Sequence, residues 1–306
     1  MEDIEGRTLA PNVTQRLLRF TGVRHWVLHP AMLERWAAHP RPPYSGWPSK
    51  RVLKKIHVER SDLDGRPVYE VSPRRAEPGP LNGHLLYLHG GAYVRDLFPH
   101  IHWPAIADLA NILRRTMTVP IYPLAPEHTY REVFPFLMQV YRRLLEDRDP
   151  SSIAFMGDSA GGAMALALCH AIRDADLPQP SDAVLLCPWM HIALPHPDVP
   201  AVAKIDPLLN VDHLRAAGIR YAGGDPLDMP LVSPGAGPLT GLPRLTVFTG
   251  THDVLNPDAR DFHKRAIAEG LDIGWYETQG AMHVWMFLPG RRAAEALAQI
   301  RQVLNG

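Results

Sequence analysis

The sequence predicts an α/β fold: a mostly parallel central sheet with helices on both faces and a helical cap. Three observations predict it. From residue 84 onward, short and continuously apolar runs alternate with amphipathic segments of helical period, the pattern of parallel strands buried on both faces by helices. The alternation stops between Pro195 and Pro238, where prolines and glycines crowd in. A Gly-x-Ser-x-Gly turn, Gly157-Asp158-Ser159-Ala160-Gly161, separates an apolar strand from a run of good helix formers.

The first fifty residues differ from the rest. Thr14 to Phe20 and Ala31 to Ala38 carry short helical patterns, separated by Pro30 and closed by Pro40-Arg41-Pro42-Pro43. Trp26, Trp36 and Trp47 add aromatic surface to a segment too small for its own core, so residues 1–50 are expected to pack on the main domain as a cap arm. Val52 to Arg60 and Pro67 to Val71 read as a hairpin around Asp62-Leu63-Asp64-Gly65. Strands follow at His84–Leu88, Met117–Tyr122, Ile153–Met156 and Ala183–Cys187. The helices between and after them are Trp103–Leu113, Arg131–Leu145 and Ala160–Arg173. Residues 195–238, with a modest helix near Val211 to Ile219, read as a cap insertion over the C-terminal edge of the sheet, where open α/β folds bind ligands. The strand Arg244–Thr249, helix Asp258–Glu269, strand Ile273–Glu277 and helix Arg292–Val303 complete the chain. The core is thus expected in two parts, 51–194 and 239–306.

A chain of 306 residues accommodates one large α/β domain with insertions, or two small domains. Its formal net charge is zero and its basic residues are scattered, so no nucleic-acid or membrane-surface partner is expected. The acidic start lacks the apolar stretch of a signal peptide, and no apolar run approaches the roughly 20 residues that span a bilayer. The two cysteines, Cys169 and Cys187, read as small core residues and not as a disulfide. A soluble, cytoplasmic protein is expected, with homodimerisation left open.

A Gly-x-Ser-x-Gly between a strand and a helix is the nucleophile elbow of an α/β-hydrolase. A serine hydroxyl attacks poorly at neutral pH unless a base takes its proton, and in this architecture the acid and then the histidine follow the serine along the chain. Asp253 lies just past the strand Arg244–Thr249, and His283 just past Ile273–Glu277; thirty residues separate them, about one helix and one strand. The expected roles are Ser159 as nucleophile, His283 as general base and then acid, and Asp253 as the carboxylate that orients the imidazole. Among the 16 histidines, His263 falls in a helix, and His100 and His102 fall in an upstream loop. Asp258 and Asp261 fall inside the helix after Asp253, and Asp158 reads as a structural residue of the elbow. The turn His89-Gly90-Gly91-Ala92 follows its strand directly, so Gly90 and Gly91, with Ala160 after the nucleophile, are the expected oxyanion-hole donors. Ala92, Tyr93, Trp189 and Trp285 are the expected substrate-pocket residues. Gly235 to Gly241 has the wrong spacing for a dinucleotide loop, and His100-Ile101-His102 lacks a third ligand at zinc spacing. No metal and no cofactor are expected.

These residues resemble the bacterial hormone-sensitive-lipase-like esterases, the fold-3 group of α/β-hydrolases, from about residue 84 to 290. The likeness rests on Leu88-His89-Gly90-Gly91-Ala92-Tyr93, Tyr122-Pro123-Leu124-Ala125-Pro126-Glu127-His128 and Gly157-Asp158-Ser159-Ala160-Gly161-Gly162. It continues through Pro188-Trp189-Met190, Asp206-Pro207-Leu208-Leu209, Gly250-Thr251-His252-Asp253-Val254-Leu255 and Met282-His283-Val284-Trp285. The resemblance implies hydrolysis of short- to medium-chain carboxylic esters, small molecules, through an acyl-serine intermediate without a cofactor. A lactone hydrolase or metabolite deacetylase with the same triad stays open, as does, more remotely, a non-catalytic small-molecule receptor on this fold. One departure is Ala92, where the family has a third glycine; a positive φ there would strain alanine by about 1 kcal/mol. Glu127 and His128 are expected to fix the loop that buttresses the oxyanion turn and the helix entry, without a catalytic part.

Overall fold

The computed structural model describes residues 29–39, 41, 42, 44, 46–74 and 81–305, together with the single positions 15, 18, 21, 22 and 24. Most of the expected helix Thr14–Phe20, and Trp26, lie outside the described residues. The strands are β1 (Ile56–Leu63), β2 (Arg66–Pro73), β3 (His84–Leu88), β4 (Thr116–Pro120), β5 (Ile153–Asp158), β6 (Asp182–Leu186), β7 (Arg244–Gly250) and β8 (Ile273–Thr278). The helices are α1 (Pro30–Ala38), α2 (His102–Leu113), α3 (Tyr130–Leu145), α4 (Ala160–Asp174), α5 (Val199–Ala203), α6 (Val211–Ala222), α7 (Asn256–Ala268) and α8 (Arg291–Asn305).

The strands form one sheet in the order β1-β2-β4-β3-β5-β6-β7-β8. It is antiparallel at β1, β2 and β4 and parallel from β4 to β8. Alternate residues of β3 show why its sequence is apolar throughout: Leu86 and Leu88 enter one hydrophobic core, Leu85 and Tyr87 the other. Side chains of α3, α4, α6 and α7 fill the first core, and those of α2 and α8 the second. The parallel strands therefore all end on one edge.

The hairpin differs from its expected span at both ends. Val52 to Lys55 make a turn, with the Leu53 N–H bonded to the Ser49 carbonyl at 3.0 Å, so the strand starts at Ile56. Asp62 and Leu63 stay in β1, because Leu63 is buried and pairs with Arg66. Only Asp64 (φ +49°) and Gly65 (φ +75°) turn, which is the two-residue loop that suits the twist of a hairpin. Between β6 and β7, the segment 195–238 contains the helices α5 and α6 and no strand. The arm helix α1 packs on α6, with the rings of His29 and His213 5.5 Å apart edge to face.

Candidate active site

The turn from β5 into α4 forces Ser159 into a left-handed backbone conformation, φ +56° and ψ −122°, which costs a non-glycine residue about 1–2 kcal/mol. The surroundings hold it there. The Ser159 N–H donates to the Leu186 carbonyl at 2.8 Å, and its own carbonyl accepts from Ala163 and Trp189. Glycines flank it for lack of room: a methyl on Gly157 would run into the Gly161 carbonyl, and one on Gly161 into the carbonyls of Leu88 and His89.

Asp253 follows β7 through Thr251 and His252 and is completely buried. Its Oδ1 accepts the Leu255 N–H at 3.0 Å, and its Oδ2 lies 2.7 Å from His283 Nδ1. The two loops are stitched together, with the His252 N–H donating to the Ala281 carbonyl at 2.9 Å and the Gly280 N–H to Thr251 Oγ1 at 2.8 Å. A side chain from the arm joins them as well: Gln15 Nε2 donates to the Gly280 carbonyl at 2.7 Å while Oε1 meets His252 Nδ1 at 3.2 Å. Burial pushes the His283 pKa down, but the charge and hydrogen bond of Asp253, with Asp206 and Asp158 behind, outweigh it and leave it above its ordinary value.

Ser159 and His283 line one cavity of about 200 Å³. Gly90, Gly91 and Ala92 form part of its wall, Phe98, Ile101, Val284 and Phe287 another, and Leu208, Leu209 and Leu214 of the cap segment a third. Its lining is apolar apart from Ser159, His283, His102 and Asp158.

The turn His89-Gly90-Gly91-Ala92, expected to supply oxyanion donors, departs from that expectation at Gly90. Its N–H donates to Asp158 Oδ1 at 2.9 Å, a buried charge-assisted bond, so it is not free for a substrate oxygen. Among the described residues, the N–H groups of Gly91, Ala92 and Ala160 have no acceptor. Gly91 has φ +133°, a conformation open essentially to glycine, and Ala92 has φ +54°. Ala92 thus does sit in the strained region, and its methyl also lines the cavity.

Asp158 anchors this turn. Besides the Gly90 N–H, it accepts the Tyr87 hydroxyl at 2.6 Å and faces His102 Nε2 at 3.4 Å. Burial alone would raise its pKa, yet His102 and these donors prevail and hold it below the usual carboxylate range. His102, expected in an upstream loop, instead opens α2 and lines the cavity. Its Nδ1 accepts the Phe98 N–H at 2.8 Å, which fixes the tautomer that offers Nε2–H to Asp158. The outer side of the turn is braced by Arg41, whose guanidinium bonds the carbonyls of Val94 and Ala125 and pairs with Glu127. His128 faces Arg66 instead, at 2.8 Å.

Of the expected pocket residues, only Ala92 lines the cavity. Trp189, Tyr93 and Tyr221 stack face to face in the core, with ring centroids 5.4 Å and 3.9 Å apart. Trp285 lies in a short turn after left-handed Val284 and lines a separate cleft with Gln15 and Leu288; Phe287, two residues on, takes the cavity position. Among the described residues, Cys187, Asp253 and His283 are the side chains close enough to share a metal ion, within 4.8 Å of one another. They fit one poorly: Asp253 already holds His283, and burial and the Asp253 charge push the Cys187 thiol far up, keeping it protonated.

This fold and this arrangement of side chains define an α/β-hydrolase. Residues 85–287 match the profile of a family described as having the alpha/beta hydrolase fold. An acetyl-hydrolase of Streptomyces hygroscopicus is 33% identical over 72% of this chain and 76% of its own. The carboxylesterase NlhH of Mycobacterium tuberculosis is 28% identical over 72% and 73%. The crystal structure of an esterase from the bacterial hormone-sensitive lipase family superposes with a TM-score of 0.77 at 27% identity, covering 97% of this chain and 98% of that one. The chain belongs to the α/β-hydrolase family, in its bacterial hormone-sensitive-lipase-like group, and it is an ester hydrolase. No helix among the described residues is long and apolar enough to cross a membrane.

Proposed function

We propose that the protein cleaves small, uncharged carboxylic esters with Ser159 as nucleophile, His283 as base and then acid, and Asp253 as orienting carboxylate. The observation that carries this reading is a single cavity walled by Ser159, by the Asp253-bound His283 and by an oxyanion turn with free N–H groups. Asp253 accepts a hydrogen bond from Nδ1–H, so Nε2 carries the lone pair that takes the serine proton. Oγ bonds to the carbonyl carbon, and the negative charge moves to the carbonyl oxygen, which the N–H groups of Gly91, Ala92 and Ala160 receive. The tetrahedral adduct collapses by releasing the alcohol, which leaves with the proton from His283. Water then repeats the sequence on the acyl-serine and frees the acid.

The cavity sets the substrate size. At about 200 Å³ the cavity is smaller than the roughly 300–1,000 Å³ of pockets for drug-sized ligands, which favours an ester with a short acyl chain. Acetyl esters are of this kind, as the name of the Streptomyces relative also suggests. In a p-nitrophenyl ester series, kcat/KM is expected to peak between acetate and hexanoate and to fall about tenfold or more by decanoate; a steady rise to dodecanoate would refute the small cavity as the determinant. Residues 1–50 and 195–238 act as the cap in this reading, supported by the packing of α1 on α6 and by the leucines that α6 and its approach contribute to the cavity. The buried free thiols Cys169 and Cys187 support a reducing, cytoplasmic setting.

The sign of the pH dependence follows from His283. The imidazole must be neutral to accept a proton, and its pKa is raised from 6.5. The acid limb of kcat/KM is therefore expected above pH 6.5, with activity rising as pH increases through it. A profile measured from pH 5 to 9, spanning the range in which histidine titrates, checks this. A limb at or below 6.5 would contradict the Asp253 effect.

A further inference from the structure

One buried carboxylate beside the triad has no part in the chemistry above. Asp206 lies in the cap segment, completely buried. Its Oδ1 accepts the N–H groups of Leu208 at 2.7 Å and Leu209 at 2.9 Å, and its Oδ2 accepts that of Val254 at 2.9 Å. Val254 directly follows Asp253, and the side chains of Leu208 and Leu209 line the cavity beside Ser159. One side chain therefore ties the cavity wall to the loop that carries the orienting acid.

A carboxylate is the group this geometry needs. Three N–H donors approach from two segments and engage both oxygens, whereas an asparagine would turn its NH₂ toward one set of donors. Yet burying a second negative charge near Asp253 is costly. The Arg24 guanidinium of the arm reaches the main-chain carbonyls of Ala203 and Asp206, each at 3.4 Å, and among the described residues no cation pairs with the Asp206 carboxylate. Among the described residues, the groups acting on His283 are Asp253, Asp206 and Asp158, with the protonated Cys187 thiol close by; Asp206 in turn faces Asp253 and His283, and the Arg24 guanidinium reaches its main-chain carbonyl.

We propose that Asp206 is a positioning residue for the Asp253–His283 pair: it holds the acid loop and the Leu208–Leu209 wall together and adds negative charge behind the imidazolium formed in turnover. This rests on the proposed triad. Burial, followed by the Asp253 charge, raises the Asp206 pKa above its ordinary value; when ionised, the carboxylate strengthens proton binding at His283.

The test is Asp206→Asn in the full chain, with Asp206→Ser alongside as a smaller neutral replacement. For each, kcat and KM for p-nitrophenyl butyrate are measured from pH 5 to 9, together with Tm. Loss of the charge should move the acid limb to lower pH than in the wild type, and loss of the Val254 tether should lower kcat by roughly 10- to 100-fold in whichever variant stays folded. An unchanged rate and limb would overturn the proposal. A fall in rate with an unmoved limb would overturn it too, since that is the mark of a clasp without an electrostatic role. Loss of folding in both variants would likewise assign Asp206 to stability alone. Ser159→Ala in the same assay separates this result from the triad: retained turnover there defeats the triad reading, whatever Asp206 does.

Discussion

Ser159→Ala is expected to lower kcat by about 10⁴- to 10⁶-fold while leaving the fold intact. The hydroxyl makes no capping hydrogen bond to α4, so its removal leaves the start of that helix unchanged. The strained backbone conformation is imposed by Gly157, Gly161 and the bonds to Leu186 and Trp189, all of which remain. Stability should therefore stay within about 1 kcal/mol of the wild type, an effect of a few degrees at most in Tm for a chain this long. What remains is an oxyanion turn and a cavity without a nucleophile, which still bind ester and polarise it weakly. Steady-state assays with p-nitrophenyl butyrate, paired with thermal denaturation, separate the two effects. Turnover within tenfold of the wild type would remove Ser159 from the mechanism.

Asp253→Asn should cost about 10⁴-fold in kcat for a different reason. Asparagine preserves the shape and can keep the Leu255 N–H bond through its oxygen. Its NH₂ then faces His283 Nδ1 and makes that nitrogen the acceptor, which moves the ring proton to Nε2, on the side where the serine proton must arrive. The imidazolium also loses the charge that most favours it, so the acid limb of any residual activity should fall below that of the wild type. Residual kcat measured across pH checks both parts. A variant with near-normal kcat would show that Asp253 neither fixes the tautomer nor supports the charge.

The parts of this architecture that were legible in the sequence are those set by local constraint. β3 and β5 could be read because a strand covered on both faces is apolar at every position. The elbow could be read because steric crowding at Gly157 and Gly161 is imposed by the turn itself. Asp253 and His283 could be singled out because each follows a strand by a few residues, and the structure brings the two together with Ser159 at one sheet edge.

Contacts between distant segments were not legible. That the Gly90 N–H is engaged depends on a carboxylate 68 positions away, and no pattern in His-Gly-Gly-Ala distinguishes an engaged donor from a free one. Aromatic residues near strand ends look alike in sequence, yet Trp189 and Tyr93 stack in the core while Phe98 and Phe287 face the cavity. The difference arises from the left-handed turns at Tyr93, Cys187 and Val284, non-glycine residues that no local rule marks. In the sequence Arg41 is part of a proline-rich break; its role depends on Glu127, 86 positions on. One signal was available for His102: a histidine at the start of a mostly apolar helix needs a polar partner if it is buried.

The central claim, that Ser159 is the attacking group, is tested most directly by covalent trapping. A p-nitrophenyl phosphonate ester, which phosphonylates an activated serine and releases p-nitrophenol, is incubated with the wild type and with Ser159→Ala, and the adduct is mapped by mass spectrometry. The account predicts a single stoichiometric adduct on the peptide containing Gly157 to Gly161 in the wild type and no adduct in the variant. Labelling at any other residue in the wild type, or equal labelling of Ser159→Ala, would contradict it.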